Sequence, residues 1–496
     1  MISLTVAEAA AALGVVVQGP GDPDAVVQDV VVDSRAVRPG SLFVALPGEH
    51  ADGHAFVSAA LAAGAVAAVT AQPMDQPSGP LLVVDDPLLA LGRLARRAVD
   101  VATAGGLQVV ALTGSQGKTS TKDLLAQVLE QAGPTVAPYG NLNNEIGVPL
   151  TAFRVDSHTR HLVVEMGARG VGHIAYLCDL TPPQVGLVLN VGQAHVGEFG
   201  SQQAIARAKG ELVEALPADG MAILNADDPL VWAMRSRTAA PVTACSARGE
   251  PPSRPAVWAT DLTSDELGRC SFLLHADAGR QPHLPAEVRL LVSGRHHVAN
   301  AVAAAAAAVA LGVDLPSTVA TLSQARLRSR SRMEMHERPD DVVVIDDAYN
   351  ANPDSARAAV DTLAEIGRAR RAARGHGQTW AVLGTMLELG DTADTEHRAL
   401  GRYAAARGID RLVAVGDLGH RLAQGAAAGG MADRTVVVEG KDAVAGAVLA
   451  HLGPGDTVLV KASRGLALDT VAQEIYQAPP LPSRRSTPAR TGEDPG

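Results

Sequence analysis

Between Val109 and Leu129 the chain reads VVALTGSQGKTSTKDLLAQVL: an apolar run, a Gly-rich loop and then a helical pattern. This order constrains the fold more than any other stretch, because a strand that feeds a phosphate-binding loop and a helix belongs to a parallel α/β sheet. Gly114 and Gly117 let backbone N–H groups turn toward an anion with no Cβ in the way. The helix that follows adds its positive N-terminal end. Lys118 is placed to reach the β- and γ-phosphates, and the Thr119 hydroxyl to ligate Mg²⁺. The loop is a shortened variant, because Leu112 stands where the first Gly of the longer G-x-x-x-x-G-K-T spacing would be.

One such unit does not fill 496 residues, so two to four domains are expected. Hydrophobic residues at 47% and charged residues at 19% indicate a folded globular chain. Aromatics are only 3%, which leaves Ala, Val and Leu to do the packing. The net charge of −11 and the lack of a long basic run argue against nucleic acid or an anionic membrane as the main partner. Cys178, Cys245 and Cys270 show no C-x-x-C spacing, which predicts a reducing compartment without a disulfide or zinc framework. The start, MISLTVAEAAAALG, lacks the basic and apolar regions of a signal peptide, and the run Ala301–Leu311 is too short to cross a bilayer. A soluble, cytoplasmic protein with no membrane insertion is expected.

The pattern divides into three units and a tail. Residues 1–107 carry short apolar strands (27–32, 42–46, 81–84) and two Ala-rich helical stretches. Residues 108–324 alternate strands (109–112, 161–164, 185–189, 221–224) with helices, which implies a parallel sheet. Within them, 241–285 is Pro-, Ser- and Asp-rich and reads as an antiparallel edge or insertion. Residues 325–477 alternate again (342–345, 380–383, 412–415, 435–438, 457–460), as a smaller Rossmann-like unit does. Residues 478–496 have almost no apolar side chains and read as a disordered tail.

Ligands of open α/β sheets bind outside the carboxyl ends of the strands. In the central unit three successive strands end in candidate groups: the phosphate loop, Glu165 in HLVVEMGARG, and Asn190 to His195 in VGLVLNVGQAHVGEFGS. Glu165 and His195 are plausible Mg²⁺ ligands, the carboxylate the better match for a hard cation. Ser201 reads as the N-cap of a helix over 202–216, and Lys209 in its middle reads, on physics alone, as a solvated helix lysine. The loop YGNLNNEIGVP offers amides that could read a peptide or simply make turns. In the third unit Asp346, Asp347, Tyr349, Asn350 and Asn352 gather after one strand, and Lys461, Ser463 and Arg464 after another. Asp33, Ser34 and Arg35 end a strand of the first unit in the same way. Several anion-competent edges on separate domains suggest closure around a large, charged substrate together with ATP.

These segments resemble the Mur ligase family over nearly the whole chain. TGSQGKTSTK is similar to the short phosphate loop of that family. DSRAVRPGSLFVALPGEHADGHAF resembles its N-terminal, UDP-binding domain. GNLNNEIGVP, VVEMGA, NVGQAHVGEFGS, ARAKGEL, GRHHVANA, DDAYNANPDS, VLGTMLELG and KASRG point to the branch that adds a D-alanyl-D-alanine dipeptide. The branch that adds the third stem residue carries Glu-x-Ser-Ser-His where this chain has Glu165-Met166-Gly167, and an Asp-Asn-Pro-Arg motif not found here.

The resemblance implies an α/β protein of three domains: N-terminal UDP-binding, central P-loop ATPase-like and C-terminal Rossmann-like. It implies an ATP-dependent amide ligase, commonly a monomer, that joins D-alanyl-D-alanine to UDP-N-acetylmuramoyl-tripeptide through an acyl phosphate. ATP binding is carried over to Thr113, Gly114, Ser115, Gln116, Gly117, Lys118, Thr119, Ser120, Asn300, Arg332, Asp346, Tyr349 and Asn350. Asp33, Ser34, Arg35 and Phe43 are carried over to the uridine nucleotide, and Asn143 and Asn144 to the peptidyl substrate. Lys461, Ser463 and Arg464 are carried over to the incoming dipeptide or phosphate. Two Mg²⁺ ions are implied, held by Thr119, Glu165, His195 and a carbamylated Lys209; Lys118, Lys209 and His195 are the implied catalytic set. Gln116, His173, His297 and Ser331 depart from the family pattern, where Asn, Glu, Asn and Gly are usual, and none removes a group the chemistry needs. The alternatives are a sister ligase with another amine, and a binder of UDP-sugar precursors that ligates nothing; Lys118, Glu165, His195 and Lys209 together speak against the binder.

Overall fold

The computed structural model describes residues 1–48, 51–192, 196–277 and 284–481. The chain forms two compact units: residues 1–263 with 269–330, and 264–268 with 331 onward. The first unit holds two domains, each with its own sheet. The N-terminal sheet has five strands in the order Val17–Gln18, Leu81–Val83, Ala67–Thr70, Ser41–Val44, Asp29–Val31. Ala67–Thr70 has no counterpart among the sequence expectations. It is buried throughout, so its Ala-rich run shows no period of two. The N-terminal helices start as their caps dictate. Thr5 and Glu8 form a reciprocal capping box for Val6–Leu13, and Asp86 caps Pro87–Ala104 with Pro87 at its first turn. Leu91, Leu94, Ala95 and Val99 of the second helix join one hydrophobic core with Ile174, Leu177 and Leu180 of the central domain.

The central sheet has nine strands in the order Ala286–Ser293, Arg269–Asp277, Ala256–Ser264, Val242–Ser246, Met221–Asn225, Val185–Val188, Gln108–Thr113, His161–Glu165, Thr135–Val136. The expected parallel strands all form. The segment 241–285 differs in part: Val242–Ser246 and Ala256–Ser264 extend the parallel run, and the antiparallel edge lies in the pairing of Arg269–Asp277 with Ala286–Ser293. Gln108–Thr113 lies between His161–Glu165 and Val185–Val188, so chain order reverses across it. This is the topological switch point at which open sheets bind ligands.

The second unit carries a six-stranded sheet in the order Glu334–Glu337, Val343–Asp346, Thr457–Lys461, Thr379–Gly384, Arg411–Val415, Thr435–Val438. The first pair is antiparallel and the others parallel. Asn352 and Ser355 cap the long helix Pro353–Arg374 reciprocally, which turns the chain sharply at the carboxyl edge of the sheet. The three cysteines are free and buried. No helix among the described residues is long and apolar enough to cross a membrane.

Candidate active site

The phosphate loop leaves the sheet at Thr113, whose hydroxyl donates to the Met166 carbonyl of the neighbouring strand end at 2.9 Å. Gly117 then sits at φ +79° as the N-cap of the helix Lys118–Glu130. Only glycine fits there twice over, because the backbone is left-handed and an added Cβ would fall on the Asn300 side-chain oxygen. That contact places Asn300, from the helix His296–Ala310, against the loop. The Lys118 ammonium donates to the Gly114 carbonyl at 2.8 Å. Ser115 is nearly buried, and Ser120 lies buried in the first turn of the helix.

Glu165, at the end of its strand, joins the helix after the phosphate loop to the amide-rich loop. Its carboxylate is 1% exposed. One oxygen accepts from the Thr119 hydroxyl and the other from the Asn143 amide, both at 2.8 Å. Asn144 closes a turn through its side-chain oxygen, which accepts the Gly147 N–H at 2.9 Å. A buried carboxylate beside a hydroxyl oxygen is a hard donor set, which fits Mg²⁺.

Lys209 corrects the solvated-helix reading. Ser201 caps its helix, Gln202–Glu214, as expected, but Lys209 is only 6% exposed. Burial, with the Lys118 ammonium second, pushes its pKa well below the usual lysine range. The side chain is thus held toward its neutral amine. His195, the remaining expected ligand, lies outside the described residues.

The N-terminal candidates separate. Asp33 caps the short turn Ser34–Ala36 and takes a bidentate ion pair from Arg35, with the shorter guanidinium contact at 2.7 Å. The Arg35 side-chain and backbone donors hold the Asp33 carboxyl at about 2. Phe43 is not with them. It is 1% exposed and packs among Ala45, Val57, Ala60, Ala68 and Leu81, so it is a core residue and does not face a nucleotide.

In the second unit Ser331, at φ +55°, donates its hydroxyl to Asp346 at 2.8 Å. The left-handed backbone is what the usual Gly of this position would favour. Asp346 is 2% exposed, and burial raises its carboxyl to about 6. The Arg332 guanidinium lies over the Tyr349 ring at 4.2 Å, and Arg464 reaches the Tyr349 hydroxyl at 3.2 Å. Asn350 is exposed beside them. Lys461 and Ser463 are corrections. The Lys461 ammonium is buried against Asp347 at 2.6 Å and the Asn350 carbonyl at 3.0 Å. Ser463 donates to the Ala351 carbonyl and accepts the Leu387 N–H. Both tie loops together and neither meets solvent; Arg464 alone of the three is exposed.

One group escaped the expected site, Lys122, and one, Asn190, was named at its strand end without a role. Asn190 ties the strand end at 189–192 to the phosphate loop. Lys122 is buried within bonding distance of Asp123 and the Pro138 carbonyl. Asn190 had a visible signal, an amide at a strand end next to the loop's strand. Lys122 had none.

Known proteins resemble this chain in sequence and fold. Family models match residues 26–98 (Mur ligase family, catalytic domain), 112–308 (Mur ligase middle domain) and 331–464 (Mur ligase, glutamate ligase domain). The UDP-N-acetylmuramoyl-tripeptide–D-alanyl-D-alanine ligase of Mycobacterium bovis is 44% identical, over 96% of this chain and 98% of its own. A crystal structure of MurF from Acinetobacter baumannii superposes with a TM-score of 0.84 at 31% identity, covering 96% of this chain and 99% of that one. MurF ligase from Thermotoga maritima, in complex with ADP, gives 0.76 at 26% identity over 91% and 97%.

Proposed function

Since the chain belongs to the Mur ligase family, we propose that it joins D-alanyl-D-alanine to UDP-N-acetylmuramoyl-tripeptide at the expense of ATP. The product is the UDP-N-acetylmuramoyl-pentapeptide precursor of peptidoglycan. The observation that carries this reading is the convergence on Glu165: the helix after the phosphate loop through Thr119, and the amide-rich loop through Asn143. A mere binder has no need of such a buried carboxylate beside a phosphate loop.

The reaction runs in two steps. The tripeptide carboxylate takes the γ-phosphoryl group of ATP, giving an acyl phosphate and ADP. The dipeptide amine then attacks the acyl carbon and loses a proton, and phosphate leaves as the amide forms. Lys118 offsets the charge of the transferring phosphoryl group. Thr119 and Glu165 would hold Mg²⁺, which would supply further charge neutralisation. Lys209, held toward its neutral amine, can add CO₂ and lose a proton, turning a repelled ammonium into an anionic oxygen ligand. Asn300 steadies the loop, and Asp346, Tyr349, Asn350 and Arg332 form the nucleotide's ribose and adenine side. The Asp33–Arg35 turn meets the uridine nucleotide, Asn143 and Asn144 the peptidyl substrate, and Arg464 the dipeptide carboxylate or phosphate. The same reading makes the protein a cytoplasmic monomer without a nucleic-acid partner.

Phosphate release from ATP, Mg²⁺ and UDP-N-acetylmuramoyl-tripeptide, with and without D-alanyl-D-alanine, tests it together with product mass. Dipeptide-dependent release with a pentapeptide product is expected. Release only with a single amino acid on a shorter precursor would move the chain to a sister specificity. Lys118→Ala is expected to abolish turnover in a folded protein; normal turnover would remove the loop assignment.

A further inference from the structure

The phosphate loop is unusually short, yet it must hold its backbone N–H groups in place before a nucleotide arrives. Within the loop the Lys118 ammonium holds the Gly114 carbonyl, but the backbone of Ser115 and Gln116 is held from outside it. The rigidity comes from the end of the neighbouring strand Val185–Val188. The Asn190 side chain makes a two-point contact with one residue of the loop, gripping the peptide units on both sides of it: its oxygen accepts the Gln116 N–H at 2.9 Å, and its amide nitrogen donates to the Gln116 carbonyl at 3.0 Å. The Asn190 backbone carbonyl accepts the Ser115 N–H at 3.1 Å. Two residues on, the Gly192 N–H donates to the Ser115 hydroxyl at 2.9 Å.

The clamp is itself anchored from the other side. Asp228 accepts the Val191 N–H at 2.8 Å, the Gln202 amide donates to the Val191 carbonyl at 2.9 Å, and the Asn225 amide donates to the Leu189 carbonyl at 2.8 Å. Residues 189–192 are therefore fixed on both faces. What they hold is the direction of the loop. The N–H groups of Ser115 and Gln116 are turned toward Asn190, which leaves the nucleotide to meet the chain from Gly117 onward, at the positive start of the helix Lys118–Glu130.

We infer that Asn190 is the positioning residue of the phosphate loop, selecting which loop amides face the nucleotide. This rests on the ATP-binding reading above. The chemistry requires Asn in particular. Asp keeps the acceptor but loses the donor and brings a negative charge toward the phosphates; Gln carries the same amide one methylene too far.

The test compares Asn190→Ala and Asn190→Asp with the wild type in steady-state kinetics, while hydrogen exchange follows residues 113–121. Asn190→Ala raises the KM for ATP by about tenfold or more and Asn190→Asp by more still, while the KM values for the UDP-peptide and the dipeptide stay within about twofold. Exchange speeds up at Gln116 in both variants, with melting temperatures close to wild type. A folded Asn190→Ala protein with unchanged ATP KM and unchanged Gln116 exchange overturns the inference. Should either variant fail to fold, the wild type alone decides: without nucleotide, the Gln116 amide exchanges far more slowly than the Gly117 amide, and equal rates overturn the proposal. Lys118→Ala separates the two levels. If it turns over ATP normally, the loop reading itself fails; if it is inactive while Asn190→Ala behaves as wild type, only the role of Asn190 falls.

Discussion

Lys122 and Lys209 sit in two helices of thirteen residues each, and both are almost fully buried, at 2% and 6% exposure. Their surroundings are opposite. The Lys122 ammonium is ringed by oxygen: Asp123 at 2.6 Å, the Pro138 carbonyl at 2.9 Å, and the Gly140 carbonyl and Ser329 hydroxyl at 3.3 Å. Asp123 in turn accepts the N–H groups of Arg328 and Ser329 at 3.0 and 2.8 Å. This lysine is a structural cation, stitching the phosphate-loop helix to the amide-rich loop and to residues 328–329. Burial pushes the Lys209 pKa well below the usual lysine range, and the charged neighbour that adds to the effect is another cation, Lys118. The same side chain at the same depth is thus an ion-paired strut in one helix and an amine held ready for chemistry in the other. Burial alone does not mark a functional lysine; what surrounds the nitrogen does.

The largest way to break this contrast is to remove the reactive lysine. Lys209→Ala is expected to lose on the order of 10³-fold in ATP turnover while keeping its fold, since it deletes an electrostatic group from the site. Added short carboxylates are expected to restore part of the rate. Wild-type turnover in the Ala variant would return Lys209 to an inert core lysine. Lys122→Met is expected to act on stability instead, costing about 3–5 kcal/mol by leaving Asp123 buried and unpaired. The double change Lys122→Met with Asp123→Asn is expected to regain most of that loss, because neither charge is then stranded. Urea unfolding of the three proteins measures it, and a single mutant as stable as wild type would show that the ion pair contributes nothing.

The two lysines also mark what a sequence shows and what it hides. The phosphate loop was legible because its strand, glycines, Lys118 and Thr119 are contiguous and each has a local job. The N-cap Ser201 was legible for the same reason. Lys209 was not, because its helix also carries an exposed polar stripe of Gln203, Arg207 and Glu214, so one more charged residue reads as solvated, whereas it lies with Ala204, Ile205, Ala208, Leu212 and Val213 on the buried side. Phe43 was carried over by resemblance alone, and its own strand could not correct the placement, because Ser41–Val44 is buried on both faces and its period of two says nothing of which side meets a ligand. Lys461 and Ser463 look like a basic strand end, but the acceptors that hold them, Asp347 and Ala351, lie more than a hundred residues earlier in the chain. Asn190 likewise clamps a loop 74 residues away. Pairing at that distance is set by strand order, and strand order is the part of a parallel sheet that local patterns do not carry.

Asp346 extends the comparison to a buried acid, with a smaller expected effect. It accepts hydrogen bonds from the Ser331 hydroxyl and the Ala348 N–H, yet burial outweighs them and Glu334 and Asp347 add repulsion, so its carboxyl is pushed up from 3.8 to about 6. Between those values the folded protein holds this proton more tightly than the unfolded chain does. Stability linked to Asp346 is therefore full below about pH 4, falls as pH rises toward about 6, and stays low above that. The loss at neutral pH is about 2 kcal/mol, somewhat less than the full displacement gives, because the carboxylate can relax toward solvent. Asp346→Asn keeps an acceptor for the Ala348 N–H and removes the titration. The variant is expected to be more stable than wild type at pH 7, with the difference shrinking to nothing by about pH 4, while its KM for ATP rises. Parallel urea unfolding of the two proteins from pH 4 to about 7 measures that difference free of the other carboxylates they share. A gap that does not change with pH would place Asp346 with Lys122, as a group whose neighbours fully compensate its burial.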